Sequence, residues 1–177
     1  MTNTENYQTQ YEDWLTTKDG RKIFVRPILP TDRNLVLDFF NRLSPQSIYM
    51  RFLNPIHVLP RDIVYRFTHI NYPSEFALVG IIQEDGQDAI VSIARYAYSA
   101  NYNSTELGVT VRDDWHHMGI GKTLLKKVVD VGKENGIFRF MGRIHPDNQP
   151  MIQLCLGLGY KLEYSLESEL FEVDIIV

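Results

Sequence analysis

The stretch V111-R-D-D-W-H-H-M-G-I-G-K-T-L-L125 joins a β-strand pattern to an amphipathic helix through a turn that contains glycine. The first N–H groups of such a helix have no partner within it, and the helix dipole adds a positive field there. Glycines at 119 and 121 let a ligand approach the main chain closely. The stretch therefore predicts a binding site for a phosphate or pyrophosphate group.

Two common phosphate-binding motifs do not fit this stretch. Gly121-Lys122-Thr123 matches the end of a P-loop, but His116 stands where that motif has its first glycine. A dinucleotide-binding fingerprint needs a third glycine at position 124, which is Leu124. The sequence therefore disfavours both a nucleotide triphosphatase and a dinucleotide-dependent enzyme.

The composition is that of a globular protein with one core. The chain has 177 residues, of which 44% are hydrophobic and 23% charged, and its net charge is -4. This charge provides no general attraction for nucleic acid. The single cysteine, Cys155, excludes an intramolecular disulfide, and no apolar run is long enough for a signal peptide or a membrane span. We expect a cytoplasmic protein that binds neither nucleic acid nor membrane.

The periodicity outward from this stretch predicts an α+β domain. Residues 1–17 are predicted to be a loosely held arm and 18–177 a single domain. Strand patterns lie at 22–26, 76–83, 89–98, 105–111, 138–144, 161–166 and 170–176, with Asp85-Gly86 as a hairpin turn. Helical patterns lie at 31–43, 44–52, 60–68, between Gly119 and Gly136, and at 148–157. These elements predict one central mixed sheet flanked by helices.

The residues from His116 to Gly121 match [Q/R]-x-x-G-x-[G/A] except at the first position, and the chain here resembles the GNAT family of acyl-CoA N-acetyltransferases. The likeness extends through T105-E-L-G-V-T-V-R-D-D-W115 and N148-Q-P-M-I-Q-L-C-L-G-L-G-Y160. It implies the GNAT fold, with a mostly antiparallel sheet, and acetyl-CoA as cosubstrate. I23-F-V-R-P-I-L-P-T-D32, L43-S-P-Q-S-I-Y-M-R-F52 and R66-F-T-H-I-N-Y-P-S-E-F-A-L-V79 resemble the acetyltransferase domain of bacterial Pat-type protein lysine acetyltransferases.

The resemblance implies a coenzyme A site along the fourth predicted strand and the glycine loop. Loop amides hold the pyrophosphate in that family, and the strand pairs with the pantetheine arm. The implied cofactor-binding residues are Val109, Val111, His116, Met118, Gly119, Gly121, Lys122, Thr123, Asn148 and Cys155. Asn148 is also expected to cap its helix. No metal is expected, because no spaced set of cysteines or carboxylates joins His116 and His117.

Glu106 is the candidate general base. Strand alternation places it on the face opposite Leu107 and Val109. The resemblance implies that the matching glutamate of Pat-like proteins accepts the proton of the attacking amine, which a lysine side chain must lose before attack. The alternative interpretation is a solvated strand glutamate paired with a nearby lysine or arginine.

Cys155 stands where many family members have a tyrosine that protonates the leaving thiolate. A small buried helix residue and a group beside the thioester are both open interpretations, and so is a covalent route through the thiol. Several polar and aromatic residues fall in segments expected to flank the acceptor cleft: Tyr49, Arg51, His69, Tyr72 and Glu75. His69 is a candidate second base, and the alternative is a hydrogen-bonded structural histidine. The aromatic residues fit the core or the cleft wall as well as a contact with the acceptor.

The sequence thus predicts an N-acetyltransferase that moves an acetyl group from acetyl-CoA to an amine by direct attack in a ternary complex. The resemblance favours a protein lysine side chain as the acceptor. A small amine or amino acid acceptor, and a coenzyme A-binding sensor without turnover, stay open. The oligomeric state is also open, with a homodimer as one possibility.

Overall fold

The computed structural model describes residues 9–177, in which eight strands form one sheet in the order β1-β2-β3-β4-β5-β6-β8-β7. Only β5 and β6 are parallel, and every other neighbouring pair is antiparallel. The strands are β1 Asp13–Thr16, β2 Lys22–Pro27, β3 Glu75–Glu84, β4 Gln87–Ser99, β5 Ser104–Val111, β6 Arg139–Ile144, β7 Lys161–Ser165 and β8 Leu170–Ile176.

Helices cover both faces of this sheet. They are α1 Arg33–Asn41, α2 Pro45–Phe52, α3 Arg61–Thr68, α4 Ile120–Glu134 and α5 Gln149–Gly157. Capping side chains start two of them: Ser44 accepts a hydrogen bond from the Ser47 amide, and Asn148 accepts one from the Met151 amide. The predicted fold class and the predicted cap at Asn148 are confirmed.

The core consists of two apolar clusters, one on each face of the sheet. Alternation along β3 divides its side chains, so that Phe76 and Leu78 face one cluster while Ala77 and Val79 face the other. The first cluster packs against the apolar side of α4 and α5, and the second against α1, α2 and α3. The sheet is therefore the middle layer of three.

The last part of the predicted arm belongs to the sheet. β1 pairs with β2, and Leu15 is buried in the first core cluster while its neighbour Trp14 stays exposed. This strand has only four residues, so its alternation is too short to be recognised from sequence. The prediction for residues 1–8 lies outside the described residues.

The site is positioned by a separation of β5 from β6. The parallel register between them contains one pair, Glu106 opposite Met141. Beyond this pair the strands diverge, and the remainder of β5 lacks a hydrogen-bonded neighbour strand on that side. Such an edge exposes backbone N–H and C=O groups that can pair with an extended ligand. None of the helices in residues 9–177 is both long and apolar enough to cross a membrane.

Candidate active site

A cleft of about 700 Å³ opens where β5 and β6 diverge. Its walls come from residues 107–111 of β5, residues 142–144 of β6, the loop at 115–119 with the start of α4, and one side of α5. This volume lies within the range usual for cofactor and small-molecule sites. The edge of β5 and the start of α4, both predicted from the sequence as a strand and a helix start, therefore face the same cleft.

The start of α4 is arranged to receive an anion. Gly119 has φ +84°, a left-handed conformation that glycine adopts without strain, and no side chain caps the helix. The Thr123 amide donates to the Gly119 carbonyl at 3.2 Å, which is the first bond of the helix. The amides of Ile120, Gly121 and Lys122 precede it and lack an intrahelical acceptor, and these residues line the cleft.

His116 fixes the loop to the end of β5. Its Nε2 donates a hydrogen bond to the Val111 carbonyl oxygen at 2.8 Å. The next residue, His117, adopts a positive φ of 63°, which turns the chain toward Met118 and Gly119. His116, which departs from the family pattern, thus anchors the loop through its side chain. The loop keeps the free backbone amides at the start of α4.

Lys18 lines the cleft, although the sequence did not predict it as a site residue. Its amide donates to the Met118 carbonyl at 3.2 Å, and its side chain lies over Gly119, with Cε 3.7 Å from the position a Cβ would take there. The ammonium group therefore adds positive charge beside the uncapped amides of α4. The contact joins positions one hundred residues apart, and no local pattern signals it.

The predicted cofactor-binding residues converge, with one exception. Those that line the cleft are Val109, Val111, His116, Met118, Gly119, Gly121, Lys122, Asn148 and Cys155. Thr123 does not line it, because its hydroxyl donates to the Gly119 carbonyl at 3.1 Å within the first turn of α4. The structure thus brings nine positions together, and their contacts with a coenzyme stay a prediction.

Cys155 is a buried cleft residue whose thiol has a raised pKa. It is 4% exposed and belongs to the first core cluster, which agrees with the interpretation of Cys155 as a small buried helix residue. Burial raises its thiol pKa to about 11. At pH 8 about one thiol in a thousand is therefore ionised, which disfavours a covalent route.

We expect no acetyl adduct at Cys155 when the protein is incubated with acetyl-CoA and no acceptor, because the thiolate is the nucleophile and it is scarce. Intact-protein mass spectrometry before and after hydroxylamine checks this, because hydroxylamine removes an acetyl thioester but not an acetylated amine, and Cys155 is the single cysteine of the sequence. The Cys155→Ala variant should still transfer acetyl groups. An adduct in the parent protein, together with complete loss of turnover in the variant, would show that the covalent route operates.

Glu106 lies at the edge of this cleft, where β5 and β6 are still paired. Its Oε1 accepts a hydrogen bond from Arg143 Nη2 at 2.7 Å, and its side chain is 42% exposed. Arg143 in turn stacks on Tyr102, with its guanidinium carbon 3.7 Å from the ring centre. Glu106 therefore pairs with an arginine, as the alternative interpretation of a structural strand glutamate expects. Oε2 makes no hydrogen bond with another described residue, so one carboxylate oxygen stays available to an amine.

Arg51 of α2 covers β5 beside Glu106. A Cβ added at Gly108 would lie 2.9 Å from Arg51 Nη2, so the guanidinium packs directly on the glycine. Arg51 also lines the cleft, and its segment was predicted to flank the site of the acceptor. Glu106 and Gly108 share one face of β5, because they are two residues apart on a strand.

The other predicted acceptor-side residues have mixed positions. The Tyr49 ring contacts that of His145, with centroids 5.6 Å apart, and neither residue lines the cleft. His69 is exposed and stacks on Tyr65 at 3.9 Å, and its Nδ1 lies 3.0 Å from Thr68 Oγ1, which is a local structural arrangement. Tyr72 packs against the core residue Phe76 and donates to Asn135. Glu75 pairs loosely with Arg95 at 4.0 Å.

The wall that carries Arg51 is fastened to the segment after β5. Asp113 accepts hydrogen bonds from the Ser44 amide and from the hydroxyls of Ser44 and Ser47. Burial raises the pKa of the Asp113 carboxyl, but these hydrogen bonds outweigh that effect and lower it overall. Among residues 9–177, no three histidine, cysteine or carboxylate side chains are grouped to hold a metal ion.

The chain belongs to the GNAT acetyltransferase family, whose model matches residues 45–160. An acetyltransferase of Pseudomonas aeruginosa is 32% identical over 142 residues, which are 80% of this chain and 76% of that protein. The GNAT domain of PAT from S. lividans has the same fold, with a TM-score of 0.87 and 26% identity over 97% of this chain and 99% of that domain.

A more distant acetyltransferase, yncA from Salmonella typhimurium, was solved with acetyl-CoA. Its TM-score is 0.65 at 16% identity, over 88% of this chain and 92% of that one, so the likeness concerns the fold alone. The resemblance to Pat-type domains that the sequence suggested is confirmed by the S. lividans structure.

Proposed function

We propose that this protein transfers the acetyl group of acetyl-CoA to an amine, with a protein lysine side chain as the acceptor and Glu106 as the general base. One observation carries the proposal: the uncapped start of α4 and the unpaired edge of β5 face a single cleft that ends beside a carboxylate. Membership of an acetyltransferase family and the likeness to the PAT domain support it.

The residues present fit coenzyme A. The amides at 120–122, with Lys18 and Lys122 beside them, supply the donors and positive charge that a pyrophosphate needs. The β5 edge supplies backbone groups for an extended amide-containing arm. Acetyl-CoA supplies the thioester that is attacked.

The chemistry of this chain is then proton removal and positioning. The amine must be neutral to attack, and Glu106 Oε2 accepts its proton directly or through water. Arg143 holds the other carboxylate oxygen, so Glu106 is a positioned acceptor at the edge of the cleft. Burial raises the pKa of the Cys155 thiol. Because a thiolate is a good leaving group, the transfer does not depend on a dedicated acid at this position.

Labelled acetyl-CoA incubated with the protein, a cell lysate and a panel of small amines tests the proposal. We expect label in one or a few protein bands at modified lysines. Label found only in small molecules would show that the acceptor is a small amine and not a protein. Coenzyme binding without any transfer would instead indicate a sensor.

A further inference from the structure

We infer that the acceptor carries a carboxylate beside its reacting amine, and that Arg51 binds this carboxylate while Glu106 receives the amine. The inference rests on the proposed function and adds the chemical class of the acceptor. It is carried by the arrangement of arginines around Glu106, which the transfer chemistry itself does not require.

Within residues 9–177, the charge of Arg51 is opposed by that of Glu106 but is not held in a contact ion pair. The Arg51 guanidinium packs on Gly108 and borders the cleft, yet it makes no hydrogen bond or ion pair with another residue in 9–177. Burial lowers its pKa, and the charge of Glu106 opposes that effect. A partly buried cation is unfavourable unless an anion accompanies it. This side chain is therefore prepared for an anionic ligand.

A second guanidinium lies next to the first. In the β4–β5 register Arg95 is directly opposite Gly108, the glycine that Arg51 covers. Burial, together with the charges of Arg51 and Arg66, lowers the Arg95 pKa to about 10. Glu75, at 4.0 Å, is its only ion pair in the described chain. The positive field beside Glu106 is thus incompletely neutralised.

This field has consequences for the choice of acceptor. A protonated amine without a negative group is repelled by Arg51, Arg95 and Arg143 as it approaches Glu106. A neighbouring carboxylate removes this repulsion and suits the planar fork of arginine, which binds carboxylates in bidentate fashion. The arginines therefore select the acceptor in two ways: they attract one that carries a carboxylate and repel one that carries only a positive charge.

The strand geometry sets the distance between the two groups. Glu106 and Gly108 are same-face neighbours on β5, so their positions are about 7 Å apart. An acidic residue adjacent to an acceptor lysine supplies a carboxylate at this range, and so does the carboxylate of an ω-amino acid. Both sources present the same chemistry to Arg51.

Paired acceptors that differ only in this charge test the inference. One pair is a lysine peptide with Glu or Gln beside the lysine, and the other is 5-aminopentanoate and its amide. We expect the wild-type protein to prefer the carboxylate member of at least one pair by about tenfold or more in kcat/KM, mainly through KM. Preference in the peptide pair alone identifies a protein acceptor, and preference in the amino acid pair alone identifies a small one.

Two variants remove the preference by different routes. Arg51→Gln deletes the charge, and Gly108→Ala displaces the guanidinium, because the added Cβ occupies its place. In both, the preference should fall below about threefold. The exposed Arg33→Gln variant, on α1, is the matched control and should keep it. Melting temperatures and coenzyme A affinities show that the variants are folded.

Calorimetric titration of each acceptor into the protein–coenzyme A complex gives the same comparison without turnover. Equal rates and equal affinities for both members of both pairs would overturn this inference and leave the proposed function standing. Failure to acetylate any amine would overturn both. A preference that survives in Arg51→Gln would also overturn the assignment to Arg51.

Discussion

Turnover of the Glu106→Gln variant should fall by a factor of about 10²–10⁴, the usual contribution of a general base. The amide keeps the shape of the side chain, and its oxygen still accepts the hydrogen bond from Arg143 Nη2. What it loses is the ability to take a proton from the amine. Coenzyme affinity should change by less than about threefold, because Glu106 lies outside the cleft lining.

The pH dependence separates a base from a structural residue. As the pH approaches about 10, a lysine acceptor loses its proton to solvent, and the gap between variant and parent should narrow. Steady-state rates from pH 7 to 10 measure this. Glu167→Gln, in the exposed β7–β8 turn, is the control for removing one carboxylate and should match the parent. Parental turnover of Glu106→Gln at every pH would eliminate the base role.

The second large effect is expected at Gly121, in the first turn of α4. An added Cβ there would contact Leu154 at 3.4 Å and Val111 at 3.5 Å, which is ordinary packing distance. A longer side chain has only the cleft left to enter. Gly121→Leu should therefore weaken coenzyme A binding at least about 100-fold, or about 2.7 kcal/mol, whereas Gly121→Ala should have a small effect.

Calorimetric titration with coenzyme A measures this loss. Gly157→Leu is the matched control, because a Cβ at Gly157 meets nothing within 4 Å and that position lies outside the cleft. Its coenzyme affinity should equal that of the parent. Unchanged affinity in Gly121→Leu, with the fold intact, would mean that the coenzyme does not occupy the space beside α4.

Local patterns were sufficient to predict most of the fold. The Asp85-Gly86 hairpin, the Ser44 and Asn148 helix starts and the apolar run of β3 each depend on residues close together in sequence. The α4 stripe was equally clear, with Ile120, Leu124 and Val128 all buried. β1 was missed because a four-residue strand carries too little alternation, and it is defined by pairing with β2.

The candidate site was predicted in part, for a related reason. The glycine loop and the strand before it are contiguous, so their joint cleft follows from the motif. Lys18 beside Gly119, Arg143 on Glu106 and Arg51 over Gly108 are contacts between distant segments, which depend on the strand order of the whole sheet. A single sequence carries no signal of such pairings. Thr123 belongs to the same contiguous motif, and its hydroxyl donates to the Gly119 carbonyl within its own helix, so its contact with a coenzyme stays a prediction.

A single-turnover experiment tests the central proposal most directly. The protein, in excess over acetyl-CoA, is mixed with a saturating amine acceptor, and free coenzyme A thiol and N-acetylated amine are counted together. We expect equal amounts of both products at every time point, with no thiol released when the amine is left out. Thiol release before the amine is added, or bound acetyl-CoA that never yields acetylated amine, would contradict the proposal.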